Sequence, residues 1–176
     1  SVYNFGDNAN STVRNAIKAQ VDKLMHNAFT DFHSELPVSY AELLMELMPE
    51  GFGKVFYSNS GTEANEAAVK FSQIFTKRQY MLAFYNSFHG RTKGSLALTA
   101  SKSIQRAHFG PFPATVHVPF PYCYRCPLKQ KYPDCGFACI DYIKKYPLSK
   151  EVDPIEISAL IFEPIQGEGG YIVPPL

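Results

Sequence analysis

Four short stretches of this 176-residue chain combine residue types whose chemistry is more specific than packing. The first is Ser60-Gly61-Thr62, where Ser60 and Glu63 have the spacing of a capping box at a helix start. The N–H groups of a first helical turn and the positive end of the helix dipole favour an anion there. Gly61 lets the anion approach the backbone, and the Thr62 hydroxyl supplies one more donor. The second stretch is Ser87-Phe88-His89-Gly90-Arg91-Thr92, directly after an apolar run. The third runs from Glu163 to Gly170 and sets two carboxylates, Glu163 and Glu168, in a loop loosened by Gly167, Gly169 and Gly170. The fourth holds all four cysteines, Cys123 and Cys126 as C-x2-C and Cys135 and Cys139 as C-x3-C. Short ligand pairs of this kind, folded together by Pro127, Pro133 and Gly136, can hold zinc or an iron–sulfur cluster. Four reduced thiols in a surface insertion are the plainer alternative.

These stretches need elements to position them. The apolar run 54–57 reads as a short buried strand, and the helix after Ser60 has Ala64, Ala67, Ala68, Phe71, Ile74 and Phe75 on one face. The small alanines let that helix lie close to a sheet. With the run 80–84 as a second strand, residues 54–84 form a βαβ unit, which implies a parallel sheet and a right-handed crossover. Residues 90–100 are a helix candidate weakened by Gly94. Residues 114–118 read as a strand, and 157–162 as a continuous apolar strand buried on both faces.

Towards the N-terminus, residues 2–10 are polar and turn-rich. Ser11 caps a helix with Val13, Ala16, Ile17, Val21 and Leu24 on one face. Residues 27–37 form a loop containing Phe29, Phe32 and His33. Ser39 and Glu42 have capping-box spacing before Tyr40, Leu43, Leu44, Leu47 and Met48, and Pro49-Glu50-Gly51 ends that helix. There is no internal repeat and no low-complexity tract.

Composition sets wide bounds. Hydrophobic residues at 45% and charged residues at 19% belong to a globular chain with a proper core. A net charge of +1 gives no footprint for nucleic acid or an anionic membrane. No apolar run has the length of a membrane span and no signal-peptide pattern is present, so the expected location is cytoplasmic.

The blocks around Ser60-Gly61-Thr62, Phe88-His89 and Glu163 to Gly170, in this order, resemble the class III (ω-amino acid type) aminotransferases, of the 4-aminobutyrate aminotransferase kind. The resemblance runs through almost the whole chain. It implies an α/β fold: the pyridoxal-phosphate-dependent transferase fold type I, here the first part of the large domain with a mainly parallel sheet. Residues 1–38 would lead into that domain, and 39–176 would be part of it, with a Cys-rich insertion at 119–139. The cofactor implied is pyridoxal 5'-phosphate, with Gly61 and Thr62 on its phosphate and Ser60 in support. Phe88 matches the aromatic stacked on the cofactor ring, and His89 follows it in the same loop. Glu163 matches a glutamate near the ring. Glu168 matches one that pairs with a distant arginine in many relatives and swings aside for a dicarboxylate substrate.

The resemblance further implies small amino-acid and 2-oxo-acid substrates, such as 4-aminobutyrate and 2-oxoglutarate, and a homodimer or higher oligomer with 27–37 near the partner's site. Some relatives carry an iron–sulfur cluster on cysteines in this region. Relatives often have Gly-His near Gly6-Asp7, so that position departs from the pattern. Relatives are also much longer, and the lysine that carries the cofactor aldehyde and the aspartate that pairs with the pyridine nitrogen are not matched here. The chain is therefore expected to be an internal piece, inactive alone. An amino-acid racemase of the same class keeps the same blocks and is the nearest alternative. A non-catalytic piece that binds a metal or cluster through its cysteines, or a purely structural interaction fragment, are readings from other classes.

Overall fold

The computed structural model describes residues 11–175, which divide into two units, one ending at Phe56 and one beginning at Tyr57. Residues 2–10, including Gly6-Asp7, lie outside the described residues.

The first unit holds two helices, α1 (Ser11–Lys23) and α2 (Glu35–Leu47). Ser11, the first described residue, already lies within α1 rather than capping it. The start of α2 corrects the sequence reading. Its N-cap is Ser34, and Ser39 sits inside the helix. Pro37 falls in the first turn, where a missing N–H costs no hydrogen bond and the fixed φ suits a helix. The loop therefore ends three residues sooner than a proline signal suggests. It is held by its own contacts: the Asn27 side-chain amide donates to the Phe32 carbonyl at 2.9 Å, and Phe29 meets His33 edge to face. Gly51, at φ +102°, follows the end of α2 as the Pro49-Glu50-Gly51 signal requires.

The second unit is built on a three-stranded parallel sheet in the order β2-β1-β3, with β1 Tyr80–Phe84, β2 Thr115–Val118 and β3 Ile157–Leu160. Leu82 pairs with Val116 on one side and with Leu160 on the other. Parallel strands need long crossovers. The chain supplies them through α4 (Lys93–Leu98) between β1 and β2, and α5 (Ala138–Lys145) between β2 and β3; α3 (Gly61–Thr76) precedes β1.

Alternation along β1 sends side chains to opposite faces. Leu82 and Phe84 join Val116, Val118, Phe120 and Ile143, the last from α5. Met81 and Ala83 join Leu98 of α4 and Val69 of α3. Helices thus cover both faces of the sheet. The α/β architecture with a mainly parallel sheet is as expected.

Three expectations about elements fail. Residues 54–57 form no strand, and the βαβ unit read over 54–84 therefore lacks its first strand. β3 ends at Leu160 and is only half-buried, since it is an edge strand among the described residues. The third failure concerns the face of α3. Phe71, Ile74 and Phe75 point outwards, Phe75 being 89% exposed. The packed face carries Thr62, Asn65, Glu66, Val69, Ser72 and Thr76, again at helical spacing. Its partners are polar: the Thr76 hydroxyl reaches Ser158 on β3 at 3.1 Å, and the Ser72 hydroxyl meets the Met81 sulfur at 3.7 Å. Side-chain hydrogen bonds to β1 and β3, together with the apolar contact of Val69, mark the face that α3 turns inward.

Leu98 is 1% exposed at the meeting of α4 with β1. Leu98→Ala in the full-length protein should cost about 2–5 kcal/mol of unfolding free energy, read from denaturant midpoints. A change within error would show that α4 does not close this core.

Candidate functional site

The order β2-β1-β3 sends the chain from β1 to one neighbour and later brings it back on the other side. Between β1 and β3 there is therefore a topological switch point, and in open α/β sheets the crevice beyond the carboxyl ends of such strands is where ligands bind. The Phe88-His89 loop leaves the end of β1, and the Glu163 to Gly170 segment follows β3. Sequence and topology thus bring these two blocks to one place.

Their junction is a carboxylate. The Phe88 N–H donates to Glu163 Oε1 at 2.8 Å, and the Gly167 N–H donates to Glu163 Oε2 at 2.9 Å. Both oxygens of Glu163 hold backbone, one from each loop. Three further ties run beside this one. The Gln166 side-chain amide donates to the Tyr85 carbonyl at 2.9 Å. Gly169 lies so close to Asn86 that an added Cβ would stand 2.7 Å from the Asn86 carbonyl oxygen. Asn86 itself adopts φ +68°, a left-handed conformation that Asn tolerates well. Lys102 reaches Glu168 at 2.8 Å, on the surface. That contact, first by its hydrogen bond and then by charge, holds the Glu168 carboxyl below its ordinary range, with Arg91 adding to the effect.

Helix α3 approaches from the other side. Ser60 is its N-cap and accepts from the Glu63 N–H at 3.2 Å, while Glu63 reaches back to the Asn59 N–H at 2.7 Å. This is the expected capping box shifted by one residue on its return bond. Gly61 opens onto free space: a Cβ built there would meet nothing within 4 Å. The Thr62 hydroxyl turns to the 90–95 segment, where it bonds the hydroxyls of Ser95 and Thr92 and accepts from the Arg91 N–H at 3.3 Å. Gly90, at φ +138°, has no room for a Cβ beside Thr62, and Gly94 has none beside Glu66. Glu66 Oε1 accepts from the Gly94 and Ser95 N–H groups at 2.9 and 3.0 Å and from the Thr92 hydroxyl.

His89 is buried, 6% exposed. Its N–H donates to the Thr99 hydroxyl at 2.9 Å and its carbonyl accepts from the Asn65 side-chain amide at 2.5 Å. Its Nε2 is buried and has no hydrogen-bond partner among the described residues. Burial lowers its pKa, and the nearby Glu163 charge opposes that shift. His117 on β2 behaves alike: burial, reinforced by Arg106, lowers its pKa to about 4, against a hydrogen bond to the Leu98 carbonyl that raises it. Tyr85 stacks on the His117 ring at 6.0 Å between centroids.

Ser60, Gly61 and Thr62 therefore stand at an open helix start, Phe88 and His89 in the adjoining loop, and Glu163 between that loop and the next. Glu168 sits at the rim with Lys102. Asn65, Glu66, Gln166 and Lys102 hold this arrangement and were not singled out from sequence. Asn65 and Glu66 carry a usable signal, since they lie three and four residues after Thr62 and so share its helix face.

The cysteines are apart from this site. All four are free and half-buried, and they line one cavity of about 20 Å3 together with Phe120 and Tyr122. Burial raises the pKa of Cys123 and of Cys139, which favours thiols over thiolates. Among the described residues no group of three or more His, Cys, Asp or Glu side chains is placed to hold a metal ion. The sulfurs converge on a common space without forming a ligand set.

Comparison with known proteins decides the family. The model of the family described as Aminotransferase class-III matches residues 1–176. The chain belongs to this family. It is 37% identical to a leucine/methionine racemase of Thermococcus litoralis over 99% of its own length and 39% of that protein's. It is 34% identical to a probable 4-aminobutyrate aminotransferase of Bacillus subtilis, covering 90% of this chain and 37% of the relative. The solved ω-transaminase of Pseudomonas jessenii, in complex with PMP, superimposes with a TM-score of 0.85 at 30% identity, over 95% of this chain and 38% of the other. The fold is thus that of the pyridoxal-phosphate-dependent transaminases, and the chain spans under two fifths of the length of these relatives.

Two outcomes follow from the geometry of this class III chain. Glu163→Gln replaces one acceptor oxygen by an amide donor facing a backbone N–H, which should cost about 1–3 kcal/mol, measured by chemical denaturation of the full-length protein. An unchanged midpoint would mean that the two loops are held without Glu163. For the two histidines the folded pKa lies below the unfolded value of 6.5, so the unfolded chain binds protons first as pH falls. Stability should decline from about pH 6.5 towards pH 4, and His117→Asn should flatten that slope.

Proposed function

We propose that this chain is part of a pyridoxal-phosphate-dependent aminotransferase, one that moves the amino group of a small ω-amino acid such as 4-aminobutyrate to a 2-oxo acid such as 2-oxoglutarate. The observation that carries the reading is the open start of α3 at Gly61, beside a loop whose Phe88 is held by Glu163 at the switch point of a parallel sheet. These residues fit the cofactor. A phosphate suits the N–H groups of Gly61 and Thr62 at the positive end of a 16-residue helix. The unpartnered Nε2 of the buried His89 offers a polar contact beside the same loop.

When bound, pyridoxal phosphate supplies an electron sink for the substrate carbon. The chain's own part is positional. Ser60 and Glu63 fix the helix start, Gly61 admits the phosphate, and the hydroxyls of Thr62, Thr92 and Ser95 keep the 90–95 segment against it. Glu163 sets the height of Phe88, whose ring serves as a platform, and so governs the orientation of whatever stacks there. Neutral His89 keeps a charge out of the loop's buried side. Glu168, paired with Lys102 at the rim, is the carboxylate placed to respond to substrate charge. Residues 39–176, with 119–139 as an insertion, are read as part of the cofactor-binding large domain, entered through 1–38. The exposed Phe71, Ile74 and Phe75 support a homodimer or higher oligomer for the whole enzyme.

An amino-acid racemase is the second reading, favoured by the 37% identity to the leucine/methionine racemase and 32% to an alanine/serine racemase of Pyrococcus horikoshii. The residues described above serve either reaction. Assays of the full-length protein should separate them: loss of 4-aminobutyrate only with 2-oxoglutarate present supports transfer, and inversion of a single amino acid without any 2-oxo acid supports racemisation.

In the full-length enzyme, Thr62→Ala should raise the cofactor dissociation constant about tenfold, equivalent to ~1.4 kcal/mol. Phe88→Ala should in addition lower kcat and alter the dichroism of the bound cofactor. Dialysis followed by absorbance and circular dichroism would measure both. Wild-type retention by Thr62→Ala would remove the α3 start from the phosphate site.

A further inference from the structure

Beyond the carboxyl ends of β1 and β2, away from the switch point, lies a second cavity of about 390 Å3. Small-molecule sites run from roughly 300 to 1,000 Å3. Tyr85 and Asn86 bound it after β1, Phe120 and Tyr122 after β2, and Tyr142 from α5, with Arg125 in the same wall. It shares no wall residue with Gly61, Thr62, Phe88 or Glu163.

The chemistry of the wall is uneven in an informative way. The aromatic rings offer flat apolar surface, and Phe120 is itself anchored edge to face on Phe84 at 5.4 Å, so that wall is rigid. Asn86 and the tyrosine hydroxyls are neutral. Arg125 is the only formal charge among the lining residues. Its guanidinium lies 5.6 Å from the Tyr124 ring centroid, and among the described residues it takes part in no ion pair. A guanidinium without an acidic partner can grip a planar anion such as a carboxylate through two parallel N–H donors. No acidic side chain in the wall competes for it.

The geometry points to a second small-molecule site that takes a carboxylate bearing a flat apolar group, with the carboxylate on Arg125 and the apolar group among the rings of Phe120, Tyr122 and Tyr142. This goes beyond the proposed transferase function and does not require it. An occupant here touches Tyr85, whose carbonyl holds Gln166, and Asn86, against which Gly169 packs. It therefore bears on the two loops that Glu163 joins.

The test uses the full-length, cofactor-loaded protein with 3-phenylpropionate as probe, and with propionate and 3-phenylpropan-1-ol as controls that lack the ring or the charge. Titration calorimetry should show saturable binding of the probe, and both controls should bind about tenfold more weakly or not at all. Arg125→Gln should raise the probe's dissociation constant about tenfold while leaving cofactor absorbance and probe-free turnover unchanged. Tyr122→Leu should weaken the probe and the alcohol together. Thr62→Ala should leave probe binding unchanged, whatever it does to the cofactor, so failure of the transferase reading and failure of this one are separable. Absence of saturable binding would overturn the proposal, as would binding that Arg125→Gln spares and Thr62→Ala removes.

Discussion

The Glu163 carboxylate is the contact on which the rest of the second unit depends. It lies just past the end of β3, and its two oxygens take one backbone N–H from the loop after β1 and one from its own following turn. Hydrogen bonds to a charged acceptor contribute about 1.5–3 kcal/mol each, and the first of the two ties Glu163 to a residue 75 positions away in sequence. A glutamine could not accept at both positions, because one of them would be an amide N–H2. Through this one group the position of Phe88 becomes a property of the sheet, since the strands on either side fix where both loops begin. The Gln166 amide and the close approach of Gly169 to Asn86 then leave the pair of loops little freedom to slide.

The polar packing of α3 serves the same end. A helix held to a sheet by apolar area alone is placed by a broad energy well. Thr62, Asn65 and Glu66 instead fix its first turns against named atoms of the 89–95 segment. Gly90 and Gly94 are required for that closeness, because a side chain at either would collide with Thr62 or Glu66. Directional bonds suit an element that must present backbone N–H groups at one point. The cost is that its apolar residues face outwards.

This inversion shows what could be read in the sequence and what could not. The turn at Ser60 to Thr62 and the strand at 80–84 were legible, because capping spacing and β1's apolar run are local signals; the parallel sheet was reached through a βαβ unit whose first strand, 54–57, does not form. The face of α3 was not. Periodicity detects a stripe of like residues but does not say which stripe meets the sheet, and Phe71, Ile74 and Phe75 are the more conspicuous stripe. The run 54–57 misled for a related reason, since a short apolar stretch does not by itself say whether it pairs with a neighbouring strand. Pro37 misled because a proline ends one helix and begins another with equal ease. The role of Glu163 as a joint between loops was invisible, as it depends on a residue far away in sequence. The convergence of four cysteines on one small cavity was foreshadowed by their pairing; a metal-ligand set is not found among the described residues.

The proposed phosphate site at α3, rather than at the other helices of the unit, is supported by what already occupies each helix start. At α4 the Gly94 and Ser95 N–H groups both donate to Glu66, so a protein carboxylate fills that site from within. At α5 the Ala138 N–H goes to the Cys135 carbonyl, those of Ile140 and Asp141 go to Phe137, and Asp141 places a negative charge in the first turn. At α3 the Ser60 hydroxyl takes the Glu63 N–H and the Ser60 carbonyl takes that of Ala64. That leaves the N–H groups of Gly61 and Thr62, at the residue where a Cβ would meet only open space. Orphan donors at a helix start seek an acceptor, and the dipole of four turns lies behind these two. The same device that closes α4 with Glu66 is therefore withheld from α3, whose start lies beside the loop that Glu163 holds in place.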